Sequence, residues 1–199
     1  MAALALYIAP GSSSMAPHIA LREIGVPFDL RPLSFAKAEQ RDPAYLAINP
    51  EGKVPTLVDG DLILTEVAAI LFYLARRFPE AGLLPEGPAD EARALSWMSF
   101  CAATIHPAFQ GGDEAAGAAF LQAEQRLGAR EWLVGGAMTI ADIHLFRMFW
   151  RARHTYALPM DALPRLIAHH DRMMARPAVR GTCEIERAIG YELRGLRLD

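Results

Sequence analysis

A chain of 199 residues, 52% of them hydrophobic, is long enough for one large domain or two small ones around a buried core. Its 20 basic and 23 acidic side chains leave a net charge of −3, which gives no electrostatic basis for binding nucleic acid or an anionic membrane. Cys101 and Cys183 stand alone, with no paired spacing, so neither a zinc site nor a disulfide framework is indicated, and a reducing cytoplasm fits best. The opening residues are apolar, but no Lys or Arg precedes Arg22 and the run soon meets Pro10-Gly11, so it reads as a first strand rather than a signal sequence. No segment reaches the roughly 18 apolar residues that a membrane span requires.

Leu4 to Ala9 is a short apolar run closed by Pro10-Gly11, the pattern of a strand buried on both faces. Ser12, Ser13 and Ser14 supply hydroxyls where a helix begins, and Ile19, Leu21 and Ile24 give that helix an apolar face that ends at Gly25. Residues 28–33 read as a second strand, which makes a right-handed βαβ unit if the two strands are parallel. Residues 34–47 are polar and mixed, a loop with an irregular helix. Asn49-Pro50-Glu51-Gly52-Lys53 then bends the backbone, and Val54 to Val58 resumes an extended run in which Pro55, lacking a ladder donor, belongs at a strand start or edge. The Pro55 ring biases Val54 towards extended geometry and leaves its N–H and C=O to an added outside strand. Asp59-Gly60-Asp61 turns the chain into residues 62–64, so the sheet ends in an antiparallel hairpin. Thr65-Glu66 starts another helix, with Ile70, Leu71, Leu74 and Phe78 on one face.

Pro79, Gly82, Pro85, Gly87 and Pro88 then crowd together as a linker. The expected division is a first domain over 1–80, a linker over 81–88 and a second domain over 89–199. The second half shows helical spacing without strand-like alternation, so the fold class is α/β followed by an all-helical bundle. Thr139 and Asp142 form a capping box, with Met138 placed to staple onto Ile143. His169-His170-Asp171 does not read as a metal site, because adjacent helical histidines point in different directions; a solvated helix face is expected there. Pro159, Pro164 and Pro177 punctuate the later helices, and the tail after Gly190 carries no clear pattern.

The order and spacing of several short motifs resemble the glutathione transferase superfamily. They are Leu6-Tyr7 with Pro10-Gly11-Ser12, Pro17 to Glu23, Ala47 to Pro55, Leu64-Thr65-Glu66, and Thr139-Ile140-Ala141-Asp142. Among its classes the chain is most similar to the bacterial beta class. The resemblance implies a thioredoxin-like N-terminal domain with Val54-Pro55 as its cis-proline element, an all-helical C-terminal domain, glutathione as co-substrate without a prosthetic group or metal, and a cytoplasmic homodimer. It also implies an enzyme that joins the glutathione thiol to a small, hydrophobic electrophile.

For glutathione, the resemblance implies pairing along Val54 beside Pro55. Glu66 would hold the ammonium, the N–H groups of Glu66 and Val67 the neighbouring carboxylate, and Lys37 and Lys53 the glycyl carboxylate. Many family members carry Ser or Gly where this chain has Val67. Ser13 stands where beta-class proteins commonly carry a cysteine, which excludes a mixed disulfide at that position. A model thiol titrates near roughly 8.5, so a hydroxyl donor and a helix N-terminus are needed to favour the thiolate. Ser13 is the first candidate donor, Ser12 the second and Tyr7 the third, against the reading in which the serines only cap the helix. His106 matches a beta-class histidine that approaches the sulfur across the interdomain cleft. The short span from His106 to Thr139 implies truncated helices around the electrophile. A serine hydrolase is disfavoured by the absence of Gly-x-Ser-x-Gly. The remaining alternative is a glutathione-binding or protein-interaction module without efficient turnover.

Overall fold

The structure is a computed structural model that describes residues 4–197. Its first half is built on β1 (Leu4–Ile8), whose residues are all buried as the apolar run requires. β2 (Phe28–Pro32) pairs with β1 in parallel, Leu4 opposite Phe28, while β3 (Thr56–Asp59) lies antiparallel on its other side, Leu6 opposite Leu57. β4 (Leu62–Thr65) completes the hairpin and the strand order β2-β1-β3-β4. The expected βαβ unit and antiparallel end are both present. Between β1 and β2 runs α1 (Met15–Ile24), ended by left-handed Gly25 at φ 77°. Residues 34–47 form a loop with a short 3₁₀ turn and a single helical turn, α2 (Pro43–Leu46). α3 (Val67–Arg77) buries Ile70, Leu71 and Leu74; Phe78 falls one residue beyond it and is half-buried, a small departure from the expected face.

The linker is pinned rather than loose. Leu83 is buried, and its carbonyl accepts the N–H of Ile140 at 2.8 Å. α4 (Pro88–Phe100) begins with Pro88 in its first turn, where a missing N–H costs nothing. It continues through one π-helical stretch, Cys101–Ile105, in which the His106 N–H reaches back to the Cys101 carbonyl. Pro107 explains the widening. It has no N–H to offer the preceding turn and its ring would press on the carbonyl four residues back. The short α5 (His106–Ala108) ends in a 3₁₀ turn before Gly112, at φ 73°, starts α6 (Gly112–Leu127). α7 (Ile140–Arg153), α8 (Pro164–Met174) and α9 (Pro177–Ile189) complete the helical half. The architecture is thus a thioredoxin-like four-stranded domain followed by a helical domain.

α7 is the centre of the second half, with Ile143, Leu145, Phe146 and Phe149 all in the core, and α1 and α3 pack against it from the first half. Its start uses the expected capping box. Asp142, fully buried, accepts from the Thr139 N–H at 2.8 Å, the Leu133 N–H at 2.9 Å and His169 Nε2 at 3.0 Å. His169 and His170 are therefore not on a solvated face: His169 is tied to Asp142, and His170 stacks on Phe146 with centroids 5.3 Å apart. The two rings do point in different directions, and among the described residues no group of side chains could hold a metal ion.

Two outcomes follow from this packing. Asp142→Ala strands several buried donors and is expected to lower the unfolding free energy by about 3–5 kcal/mol in urea titrations. Burial pushes the His170 imidazole down to about 4, with Arg153 acting in the same direction against the Asp171 hydrogen bond. The unfolded chain takes up that proton near roughly pH 6.5 while the folded chain does not, so stability falls as pH drops from about 6.5 towards 4. Unfolding measured at pH 7 and pH 5 should show a smaller difference in His170→Leu than in the parent.

Candidate functional site between the two domains

The residues joining β1 to α1 form the floor of a cleft of about 820 Å³ between the two halves. Gly11 sits at φ 73°, and a Cβ there would come within 2.9 Å of Tyr191. Both facts require glycine. Ser14 turns its hydroxyl back on Ala9, donating to the carbonyl at 3.2 Å, and its Oγ lies 2.7 Å from that of Ser12. Neither Ser12 nor Ser14 is free for an outside group, and no serine caps α1 with its side chain, contrary to the capping expectation. Ser13 is the half-exposed hydroxyl of the three, and it donates to the Val54 carbonyl at 3.2 Å.

Two buried charges from the helical domain grip this loop. Arg147 of α7, 5% exposed, donates from Nε to the Ser12 carbonyl at 3.0 Å and from Nη2 to the Gly11 carbonyl at 3.2 Å. Glu186 of α9, with no exposed surface, accepts the Gly11 N–H at 2.6 Å through one oxygen and faces His18 Nδ1 at 2.8 Å through the other. Burial pushes the Arg147 guanidinium below the usual arginine range, to about 9, so it is still a cation at neutral pH.

The opposite rim is the turn 49–53. The Val54-Pro55 bond is cis, as the resemblance implied. Asn49 shapes the turn from inside: its Oδ1 accepts the Glu51 N–H at 3.1 Å, and its Nδ2 donates to the Lys53 carbonyl at 2.9 Å. Tyr45 donates to the same carbonyl and lies 2.8 Å from Thr56 Oγ1. Gly52, at φ 61°, leaves no room for a Cβ against the Gln40 carbonyl. Glu66 stands at the head of α3 with a positive φ of 67°, a conformation that costs a non-glycine residue about 1–3 kcal/mol. Its carbonyl accepts the Ile70 N–H at 3.0 Å, while the first N–H groups of α3 face the helix entrance, where an anion is favoured.

Ser12, Ser13, Lys53, Val54, Pro55, Glu66, Val67 and His106 all line this one cleft. Two expected candidates do not. Lys37 is exposed outside the lining and within the field of Glu192, whose carboxylate is held by Ala36 and Ser34. Tyr7 is buried in β1 and outside the lining, and its hydroxyl accepts Arg31 Nη1 at 2.8 Å. The Val54 carbonyl is not wholly free either, since it takes the Ser13 proton; its second lone pair remains. His106 crosses the cleft from the helical side, its pKa lowered by partial burial and by Arg147 and raised by Glu66. Sequence reasoning missed Arg147, Glu186, His144, Arg151, Tyr156 and Leu193. Arg147 and Arg151 were detectable only as charges inside an otherwise apolar helix, and Glu186 carried no signal.

The glutathione S-transferase N-terminal domain model matches residues 2–76, and the corresponding C-terminal domain model matches residues 97–177. A glutathione S-transferase of Xanthomonas campestris is 33% identical over 91% of this chain and 98% of its own length. The chain belongs to the glutathione S-transferase family. Solved members carry the likeness into three dimensions. A glutathione transferase homologue from Sulfitobacter with bound glutathione is 31% identical with a TM-score of 0.87, covering 93% of this chain and 99% of that one. A bacterial beta class enzyme of Sphingomonas chungbukensis is 38% identical with a TM-score of 0.80, covering 92% and 98%. These relatives favour a transferase over a binding module without turnover.

For a family member with this loop, the interdomain grip has a measurable consequence. Glu186→Gln turns one acceptor of the Gly11–His18 pair into a donor and should lower stability by about 1–3 kcal/mol while weakening retention on immobilised glutathione. Glu184→Gln, on the exposed face of the same helix, should leave both unchanged.

Proposed function

We propose that this protein is a glutathione transferase in which glutathione lies as an added strand beside Val54-Pro55 and its sulfur points to Ser13. The observation that carries this is the 3.2 Å contact between Ser13 Oγ and the Val54 carbonyl. It puts the one half-exposed hydroxyl of the loop at the main-chain edge where an extended peptide would pair. The head of α3 supports the rest of the arrangement: Glu66 for the ammonium, the N–H groups of Glu66 and Val67 for the adjoining carboxylate, and Lys53 for the glycyl carboxylate. Lys53 is drawn towards Glu51 at 3.3 Å in an exposed pair, a contact weak enough to exchange for a ligand carboxylate. Lys37 would have to leave the field of Glu192 to contribute. His106 faces the same space from the helical domain.

The chemistry asked of the protein is small. Ser13 turns its hydroxyl from Val54 to the sulfur, and the cysteinyl N–H of glutathione takes its place on the carbonyl. A hydroxyl donor and the first turn of α1 each contribute about 1 kcal/mol or more to the anion, enough together for a shift of one to two pKa units. The thiolate then attacks a small electrophile held against the helical wall, and positioning supplies the remaining advantage. Residues 1–80 would hold glutathione and residues 89–199 the acceptor. Family membership supports a cytoplasmic homodimer without a prosthetic group, which sedimentation and metal analysis of the purified protein would check.

Ser13→Ala should raise the pH midpoint of kcat/KM for conjugation by about one unit and cut the rate at neutral pH by about tenfold, with recovery at higher pH. An unchanged pH profile would remove Ser13 from this role.

A further inference from the structure

The helical wall of the cleft carries groups that neither the loop nor glutathione uses. His144, Arg147 and Arg151 follow one another at spacings of three and four along α7, so they share one face, and all three line the cleft. Arg147 is committed to the loop. Arg151 donates from Nη2 to the Arg194 carbonyl at 2.6 Å, but its Nη1 is shielded from water and has no hydrogen-bond partner. His144 is 4% exposed, and its Nδ1 has no partner either. Among the described residues no carboxylate lies within ion-pair distance of Arg147 or Arg151. The lining contributed by residues 102–156 contains no Asp or Glu.

Unpaired cations enclosed by low-dielectric walls focus a positive field into the space they line. The glutathione carboxylates do not need it, since the entrance of α3 and Lys53 serve them on the other wall. Next to Arg151 the surface is aromatic. The Tyr156 and Phe109 rings stack with centroids 5.2 Å apart, Phe109 stacks in turn on Phe120 at 6.4 Å, and the Tyr156 hydroxyl donates to the Phe109 carbonyl at 3.0 Å, which fixes Tyr156 as the end ring of the stack. Met148 also lines the cleft.

Resting on the glutathione reading above, we propose that the electrophile taken by this cleft carries a carboxylate, held by Arg151, with its flat unsaturated body lying against the aromatic stack that Tyr156 ends. Arg151 lines the cleft with no carboxylate of the protein to offset its charge, so the substrate supplies the counter-ion. His144, one of the same row, supplies a neutral imidazole beside the path of the carboxylate, because burial, with help from Arg147 and His106, pushes it down to about 3. An apolar electrophile without the anion fills the aromatic half alone and leaves the guanidinium unpaired.

The test uses a ring chloride activated by a nitro group, as the free benzoate and as its neutral amide. In either case the thiol proton leaves to solvent, a carbon–sulfur bond forms and chloride departs. Each kcat/KM is divided by the uncatalysed rate with glutathione, so that intrinsic reactivity cancels. Binding of the unreactive nitrobenzoate and its amide to the glutathione-loaded protein is measured by calorimetry in parallel. The expected result is a preference of about tenfold or more for the carboxylate in both measurements, lost in Arg151→Gln through a raised KM for the acceptor, and partly restored in Arg151→Lys. Glutathione binding without any preference for the carboxylate overturns this proposal and leaves the transferase reading intact. An Arg151→Gln variant that moves the thiolate pH midpoint instead of the preference also overturns it, because the arginine would then serve the sulfur. Failure of the parent protein to bind glutathione at all removes both.

Discussion

The site depends on one interdomain hold, the grip of Arg147 and Glu186 on the backbone of Gly11 and Ser12. Bringing a guanidinium and a carboxylate into a protein interior costs several kcal/mol per ion, and only complete hydrogen bonding offsets it. Here the guanidinium spends Nε and Nη2 on two carbonyls, and the carboxylate spends both oxygens on an N–H and an imidazole. The bonded groups belong to the loop that presents Ser13, so the first domain alone has an incomplete loop and the second alone has two stranded charges. The buried faces of α1, α7 and α9 supply the apolar contact that keeps the two halves in register. Polar specificity and hydrophobic burial therefore act on the same few residues, the one setting the orientation of the loop and the other holding it there.

The two walls of the cleft differ in kind. On the thioredoxin-like side the groups that the proposed reading gives to the ligand are main chain: the edge at Val54, and the N–H groups at the start of α3. Main-chain groups have a fixed spacing, which suits a ligand that is itself a peptide. The neutral Asn49 and Tyr45 network behind Lys53 keeps that edge in place. On the helical side the lining is side chains, among them those of α5 and α7, which can change without disturbing a sheet. A scaffold divided this way keeps one half constant in chemistry while the other adapts to the acceptor. The π-helical stretch before Pro107 belongs to this second wall, since it sets the angle at which His106 and Phe109 enter the cleft.

Much of this was legible beforehand because it rests on local rules. A six-residue apolar run stopped by Pro10-Gly11, a glycine-ended helix, a Pro-Glu-Gly turn and the Thr139 capping box each carry their own reason within a few residues, and their order carries the family. The candidates that failed did so for long-range reasons. Tyr7 follows the strand pattern, yet nothing nearby in sequence shows that it lies outside the cleft with its hydroxyl on Arg31 across the parallel pair. Lys37 is a surface lysine by every local criterion, and Glu192, far along the chain, sets its electrical neighbourhood. His169 and His170 carry the polarity of an exposed face, but Asp142 and Phe146 cover them.

The sequence by itself determined most of the elements and their order, since periodicity, turn chemistry and capping are properties of neighbouring residues, while the cis-proline edge came only through the resemblance that the order of the motifs carries. Only the tertiary structure decided which hydroxyl of Ser12, Ser13 and Ser14 faces the cleft, which charges hold the loop and which arginine is left unpaired. Those outcomes depend on contacts such as Gly11 with Glu186 and Ser12 with Arg147, whose partners lie more than a hundred residues apart in the chain. No local propensity encodes a hydrogen bond across that distance; packing the two halves against each other creates it.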